Sequence, residues 1–347
     1  MHVVETCSEF DSKAPLQPVI SVVVIGRNEG QRLARCFESL ARVQGVAIKE
    51  LIYVDSASTD GSAELASRYG ATSVTLHSIR PTAALGRNAG WRRTSSDLIL
   101  FLDGDTVLHP GFPRVACDAL SVDESVAAVW GHRRELHPER SLFTRVLDLD
   151  WIYPPGLTEF CGGDVLLRRA ALFATGGFDE ALIAGEEPEL CRRIRARGFK
   201  ILHIDTPMTG HDLAITNWRQ YWKRAIRAGH AYAEVSERFR NSNDSFWTSE
   251  RNANIVRGSY WIVSFAAAVI AGLRFGLLPF ACWFTLLLAL SLRSAWRARW
   301  KTDELPTLLL YGIHSHLQQI PILIGQIRYA FEKGRSGDSR LIEYKTN

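Results

Sequence analysis

Hydrophobic and polar positions follow two different patterns along this chain, and the change falls near residue 257. Before it, short apolar runs, SVVVIG at 21–26, LIYVD at 51–55 and LILFLD at 98–103, are separated by stretches of helical period such as EGQRLARCFESLARV at 29–43 and SAELASRYG at 62–70. Runs this short, rich in Val and Ile and divided by helices, predict the buried parallel strands of a β-α-β sheet. Ligands of such sheets bind at the carboxyl ends of the strands. Polar clusters stand at those ends: Arg27-Asn28-Glu29 after the first run, DSASTDGS from Asp55 after the second, DGDT from Asp103 after the third.

Beyond 257 the pattern becomes SYWIVSFAAAVIAGL at 259–273, Arg274, and FGLLPFACWFTLLLALSL at 275–292. A membrane span needs about 20 apolar residues. The second run nearly reaches that; the first is short, which predicts a tilted, interfacial or re-entrant piece. Arg257 on one flank and Arg293, Arg297, Arg299 and Lys301 on the other fit a hairpin with both ends on the cytoplasmic side. A third segment, PTLLLYGIHSHLQQIPILIGQI at 306–327, carries His314, His316, Gln318 and Gln319 in its middle and predicts an interfacial or protein-packed helix. The alternative for all three is the helical core of a soluble all-α domain. The expected division is an N-terminal extension at 1–18, an α/β domain at 19–235, and a C-terminal hydrophobic helical region at 236–347 that attaches to a membrane.

Composition narrows the function classes. The 347 residues carry 41 Lys and Arg against 37 Asp and Glu, with 46% hydrophobic and 22% charged residues, which excludes a disordered tail or an acidic binder. The net charge of +4 is far from the dense basic footprint of a nucleic-acid protein, so no nucleic-acid partner is expected. Cys7, Cys36, Cys117, Cys161, Cys191 and Cys282 form no CxxC pair, which speaks against a zinc ribbon or a thioredoxin-type site and for a reducing compartment. The first 20 residues hold acids and prolines where a secretory signal has a basic flank and an apolar stretch. A membrane-associated protein, at an inner or plasma membrane, with its catalytic domain facing the cytoplasm is therefore expected. Neither GxxxxGK[ST] nor GxGxxG occurs, which removes support for P-loop and dinucleotide chemistry.

The strongest candidate for chemistry is Asp103-Gly104-Asp105. Carboxylates at alternate positions share one side of a strand, and a glycine between them admits a large anionic group. Hard divalent ions take such oxygens, and a nucleoside diphosphate leaving group needs an ion to neutralise it. Asp55, at the end of a strand, offers an acceptor to a nucleobase N–H, whereas Ser58, Thr59 and Asp60 are of the types that satisfy free N–H groups at a helix start. Glu29 is either an N-terminal helix charge or a ribose contact. Arg87 and Asn88 in GRNAG precede the DGD strand and are favoured as diphosphate partners. In GEEPEL, the acids Glu186, Glu187 and Glu189 suit a helix N-terminus, and one of them can also serve as a general base. His211, at another strand-to-loop passage, can complete a Mg²⁺ or Mn²⁺ shell begun by Asp105.

Taken in this order, VVVIGRNE, VDSASTDGS, GRNAG, FLDGD, GGFDE and GEEPELCRRIRARG resemble family 2 glycosyltransferases of the GT-A fold, over about residues 19–235. The resemblance implies an α/β, nucleotide-sugar-binding fold with a mostly parallel central sheet flanked by helices, followed here by the helical region. It also implies metal-dependent transfer of a sugar, with inversion, from a nucleotide-sugar donor to a hydroxyl acceptor, with a divalent metal, Mg²⁺ or Mn²⁺, as cofactor. On this sequence Glu29 and Asp55 match the nucleoside-binding positions and Arg87 the position before the diphosphate. Asp103 and Asp105 match the DxD pair, with Asp105 the direct metal ligand; Glu186-Glu187 match the ED motif, with Glu187 the base candidate; His211 matches a late metal-binding histidine. Two positions depart from the pattern: Ser56 stands where a second acid is usual, and the base position carries Glu where Asp is common. NWRQYWKRAIRAGHAY at 217–232 resembles the amphipathic segment of membrane-associated members, a helix suited to the headgroup layer. The QxxRW signature of processive synthases is not matched, so chain elongation is disfavoured. The apolar C-terminal third favours a lipid-linked or membrane-located acceptor. The rival reading is a catalytically silent, membrane-attached module that binds a nucleotide-sugar or lipid.

Overall fold

The computed structural model describes residues 17–242 and 244–334. Its first half alternates strands and helices: β1 (Val19–Gly26), α1 (Gln31–Leu40), β2 (Ala47–Asp55), α2 (Ser62–Arg68), β3 (Thr72–Thr75), α3 (Ala83–Trp91) and β4 (Leu98–Asp103). Then follow β5 (Thr106–Leu108), α4 (Phe112–Val122), β6 (Val126–Glu135), α5 (Leu142–Leu149), β7 (Gly156–Thr158), β8 (Val165–Arg168), α6 (Arg169–Thr175), α7 (Glu186–Ala196) and β9 (Lys200–His211). Five helices close the described chain: α8 (Trp218–Arg238), α9 (Thr248–Phe275), α10 (Leu278–Ala298), α11 (Leu305–Leu317) and α12 (Gln319–Gly334).

The nine strands form one sheet in the order β3-β2-β1-β4-β8-β6-β9-β5, with β7 on β9. The three apolar runs are β1, β2 and β4. Their Val22, Val23, Val24, Val54, Leu100 and Phe101 side chains are fully enclosed, as expected of parallel strands covered by helices on both faces. The parallel expectation holds from β3 to β4, where each crossover is a helix. Past β4 the sheet is mixed: β8 runs antiparallel to β4 and β6, and β5 and β7 run antiparallel to β9. The antiparallel pieces β5, β7 and β8 are three or four residues long, too short to leave a hydrophobic period in the sequence. Their effect is to lay the β9 end against the β4–β5 turn, which places a late residue beside an early motif.

The C-terminal region is helical, as expected, but its parts differ from the expectation. The first apolar run is not a short piece: it belongs to one continuous 28-residue helix, α9. Only 17% of the apolar window of α9 and 11% of that of α10 is buried within the described chain, so neither is enclosed by it as a core helix would be. The third segment breaks at Gln318 into α11 and α12, and His314 is buried against the α/β domain, with Nε2 3.2 Å from Asp150. The 217–232 segment, expected to lie in a headgroup layer, is α8 and is packed on both sides: one face meets the central cleft and the other meets α12. There the backbones touch, since a Cβ on Gly229 would lie 2.0 Å from the Ile322 carbonyl oxygen and one on Gly325 2.0 Å from that of Ile226.

Candidate active site

The register of the sheet brings the three strand ends together. Ile25 of β1 pairs with Asp103 of β4, and Gly26 pairs with Asp55 of β2. Above them opens a cleft of about 700 Å³, lined on one side by strand-end residues and on the other by α7 and α8. Asp103 ends β4, Asp105 lies in the turn to β5, and β5 pairs with β9 so that Thr106 faces His211. His211 Nε2 is thereby 3.2 Å from Asp105 Oδ1. One ligand atom from each of Asp103, Asp105 and His211 falls within 4.8 Å of the others. Two carboxylates and an imidazole so grouped are a donor set that fits Mg²⁺ or, with the nitrogen, Mn²⁺. Gly104 lines the cleft and also closes the turn onto β1. Its N–H donates to the Ile25 carbonyl at 2.8 Å, and a Cβ would sit 3.1 Å from that oxygen, so the glycine lets the DGD turn press onto β1.

Arg87 organises the acidic side. Thr82 caps α3 by accepting from Leu85 N–H, and Gly90 allows α3 to lie on Val23 of β1. The result is an Arg87 only 2% exposed. Its Nη1 is 2.9 Å from Glu186 Oε1; its Nη2 is 2.9 Å from Asp103 Oδ1 and 3.0 Å from Glu187 Oε1. A guanidinium out of water is tolerated only with such partners. Burial opposes its charge, but the carboxylates of Glu187, Asp103 and Glu186 outweigh burial and make it hold its proton more firmly than usual. Conversely, burial works against the Asp103 carboxylate, yet Arg87 and then Arg133 hold it below the usual range. Glu187 goes the other way: burial, and then repulsion from Glu186, push its carboxyl up to about 7 against the pull of Arg87.

The remaining expected site residues are placed as follows. Glu29 lines the cleft with Arg32 2.9 Å away. Asp55 is buried at the strand end, where it accepts from Ser58 N–H at 2.7 Å, Ser58 Oγ at 2.5 Å and Tyr53 Oη at 3.1 Å; it shapes the turn whose Ser56 lines the cleft. Asn88 lies outside the cleft lining. Its amide donates to the Phe178 carbonyl and to Glu180 Oε1 and accepts from Phe178 N–H and Trp91 Nε1, which ties α3 to the 176–180 turn. Asn88, expected as a diphosphate partner, is thus placed with a full set of internal partners.

Sequence reasoning missed Asp164 and Arg133. Asp164, buried, accepts from Asp103 N–H at 3.0 Å and Thr209 Oγ1 at 2.8 Å, so it anchors the DGD strand end. Burial pushes its carboxyl up to about 6, with Arg133 pulling the other way. Arg133 stacks 4.6 Å over Trp151, its Nη2 3.7 Å from Asp103. The signal for Asp164 was present in FCGGD, an acid after two glycines, but Arg133 sits in an unremarkable HRRE run. Gly163 makes the convergence possible: a Cβ there would lie 2.3 Å from Arg87 Nη2, 3.0 Å from Asp103 Oδ2 and 3.1 Å from Glu187 Oε1. The opposite wall is aromatic and basic, with Tyr153, Trp247, and Arg224, Arg227 and Tyr232 of α8.

Comparison with known proteins agrees with this architecture. The family model described as Glycosyl transferase family 2 matches residues 21–163. The probable glycosyltransferase YdaM of Bacillus subtilis is 21% identical over 229 residues, covering 60% of this chain and 54% of that protein. The pre-mycofactocin glycosyltransferase of Mycobacterium tuberculosis is 24% identical over 206 residues, 56% of this chain and 42% of that one. The chain thus spans about half the length of these relatives. Among solved structures, mannosyltransferase PcManGT from Pyrobaculum calidifontis, in complex with GDP-Man and Mn²⁺, superposes with a TM-score of 0.67 at 17% identity, over 92% of this chain and 89% of that one. Residues 21–163 thus match glycosyl transferase family 2, and the architecture is that of the GT-A fold.

Proposed function

We propose that the protein transfers a sugar from a nucleoside-diphosphate sugar to a hydroxyl acceptor with inversion, in a metal-dependent reaction at a membrane. The observation that carries the reading is the joining of Asp103, beside Asp105 and His211, to Glu187 through the single buried guanidinium of Arg87. The likeness to a mannosyltransferase that binds GDP-Man and Mn²⁺ supports it.

In this reading Asp105, His211 and Asp103 hold a divalent ion, which when bound supplies the positive charge that neutralises a departing diphosphate. Glu29 and the Ser56 turn, set by Asp55, flank the nucleoside. Glu187, with a carboxyl poised near neutrality and more open to the cleft than Glu186, accepts the proton of the acceptor hydroxyl. The acceptor oxygen forms its bond to the anomeric carbon as the bond from that carbon to the diphosphate oxygen breaks on the opposite side, so configuration inverts. Arg87, expected to touch the diphosphate, acts here from behind: it fixes the Glu187 and Asp103 carboxylates. α9 and α10 cross the membrane as a hairpin, with Arg293, Arg297, Arg299 and Lys301 on the cytoplasmic side, and the acceptor is lipid-linked or membrane-located.

A donor screen tests the proposal. Full-length protein in detergent is given each common nucleotide-sugar with Mg²⁺ or Mn²⁺, and melting temperature and nucleoside diphosphate release are followed. A metal-dependent shift with one donor, lost in Asp105→Ala, is the expected result. Binding without any nucleotide release, whatever the acceptor, would instead identify a silent binding module.

A further inference from the structure

The wall of the cleft opposite the DGD turn contains a cation that the proposed donor chemistry does not use. Arg224 projects from α8 into the cleft beside Tyr153, Tyr232 and Trp247. On the strand side Arg87 is matched by three carboxylates and Arg32 by Glu29. Arg224 has no hydrogen-bond or ion-pair partner among the described residues. Asp150, the carboxylate on which its charge acts, is already engaged by Tyr311 Oη at 3.0 Å and His314 Nε2 at 3.2 Å. A cleft-facing guanidinium with five donors and no acceptor is set for an oxyanion, phosphate or carboxylate, which its planar fork meets in two parallel bonds.

A second, independent feature points to the same place. Trp247 takes a left-handed backbone, φ +61°, which an L-residue with a side chain adopts at some cost in energy. Its ring stands 4.7 Å from that of Tyr232 and 5.8 Å from Phe160, so this strained turn at the start of α9 holds an indole on the cleft wall. Aromatic faces beside a lone guanidinium make a subsite for a molecule with an apolar or sugar face and an anionic group. α8 is held rigidly in position, by the Gly229 and Gly325 contact with α12 and by Arg227 Nη2, which donates to the Ile183 carbonyl at 3.1 Å.

We infer that Arg224, with Tyr232 and Trp247, forms the acceptor subsite and that the acceptor carries a phosphate or carboxylate group near the hydroxyl that is glycosylated. The inference rests on the donor reading above and adds the chemical class of the acceptor. It also assigns the C-terminal helices a part in the site, since the wall belongs to α8 and to the start of α9.

The test uses the full chain in nanodiscs, with tryptophan fluorescence reporting binding of four probes: glycerol 3-phosphate, decyl phosphate, glycerol and decanol. At least one phosphate probe is expected to bind about tenfold or more tighter than its parent alcohol, the worth of one charge-assisted contact. Arg224→Gln is expected to erase that preference and Arg224→Lys to keep part of it. Preference for glycerol 3-phosphate alone means a soluble oxyanion acceptor, and preference for decyl phosphate alone an amphiphilic one; both support the subsite. Phosphates bound no better than their alcohols, or a preference untouched in Arg224→Gln, would overturn it. Nucleoside diphosphate affinity and melting temperature, measured on the same samples, show that each variant is folded. They also separate the two ideas, because loss of nucleotide binding in the unmutated protein sinks the donor reading, whereas its retention without phosphate preference sinks only the subsite.

Discussion

Arg87 Nη2 lies 3.0 Å from Glu187 Oε1, and the same nitrogen lies 2.9 Å from Asp103 Oδ1. One buried donor therefore fixes the distance between the proposed base on α7 and the proposed metal motif at the end of β4. Arg87→Met keeps an unbranched apolar stem but removes the guanidinium and strands three carboxylates. Removing one partner from buried ion pairs costs about 3–5 kcal/mol, so chemical denaturation is expected to show a loss of that order together with loss of turnover. Arg87→Lys restores one charge without the fork and is expected to recover part of the stability and little of the activity. A loss below about 1 kcal/mol in Arg87→Met, the range of an exposed ion pair, would mean that the cluster is not held this way.

Gly163 supplies the space for that cluster. A Cβ at 163 meets Arg87 Nη2, Asp103 Oδ2 and Glu187 Oε1, whereas one at 162 meets only Arg133 Nη1, at 3.5 Å. Gly163→Ala is expected to destabilise by about 1–3 kcal/mol, as overpacking does, and to reduce turnover. Gly162→Ala, with ordinary contacts, is expected to leave both nearly unchanged. Equal effects of the two substitutions, read by melting temperature and initial rate, would contradict the account.

Glu187 sets the pH dependence. Burial and Glu186 push its carboxyl up to about 7, and a base must be ionised to work. Turnover is expected to fall with a single-proton slope as pH drops below about 7, and Glu187→Gln to lose about 10²–10⁴-fold in rate while nucleotide binding persists. The stability effect has the opposite sign. A carboxyl raised on folding stabilises in its protonated form, fully so below its ordinary value near 4.5, and that contribution is lost as pH rises through about 7. Glu187→Gln is therefore expected to gain stability relative to the unmutated protein at pH 8 but not at pH 4. Parallel denaturation curves at the two pH values check this.

Much of the fold was legible because β1, β2 and β4 are long enough to show as apolar runs and because their carboxyl ends are polar. The DGD pair and His211 stand out for the same reason, as polar groups at strand ends, whereas Glu187 shares with Glu186 and Glu189 a helix start that favours acids in any case. Arg133 was hidden, and FCGGD showed Asp164 without its partners, because Trp151 for one and Asp103 and Thr209 for the other come together only in the folded sheet. The four internal hydrogen bonds of Asn88 were not legible, because Phe178, Glu180 and the Trp91 indole meet its amide only in the folded chain. The basic stripe of α8 misled likewise. Its periodicity is that of an amphipathic surface helix, and nothing local to it tells of α12, a hundred residues later, covering one side.

That last contact yields the most distant prediction. Gly229 and Gly325 let the α8 and α12 backbones meet, with 2.0 Å between a Cβ built at 229 and the Ile322 oxygen. The obstacle is backbone, so a side chain there cannot be relieved by a rotamer change and the helices must part. Since α8 carries Arg224, Arg227 and Tyr232 into the cleft, parting them moves the wall opposite the DGD turn and leaves the strand ends in place. Gly229→Ala is expected to lower stability by about 1–3 kcal/mol and to reduce sugar transfer, while nucleoside diphosphate affinity changes little. Gly111→Ala, where a Cβ finds only the His109 ring at 3.8 Å and the backbone is ordinary, is the matched control and is expected to change neither. If Gly229→Ala weakened nucleotide binding as strongly as transfer, the two walls of the cleft would not be separable, and α8 would have to be assigned to the donor instead.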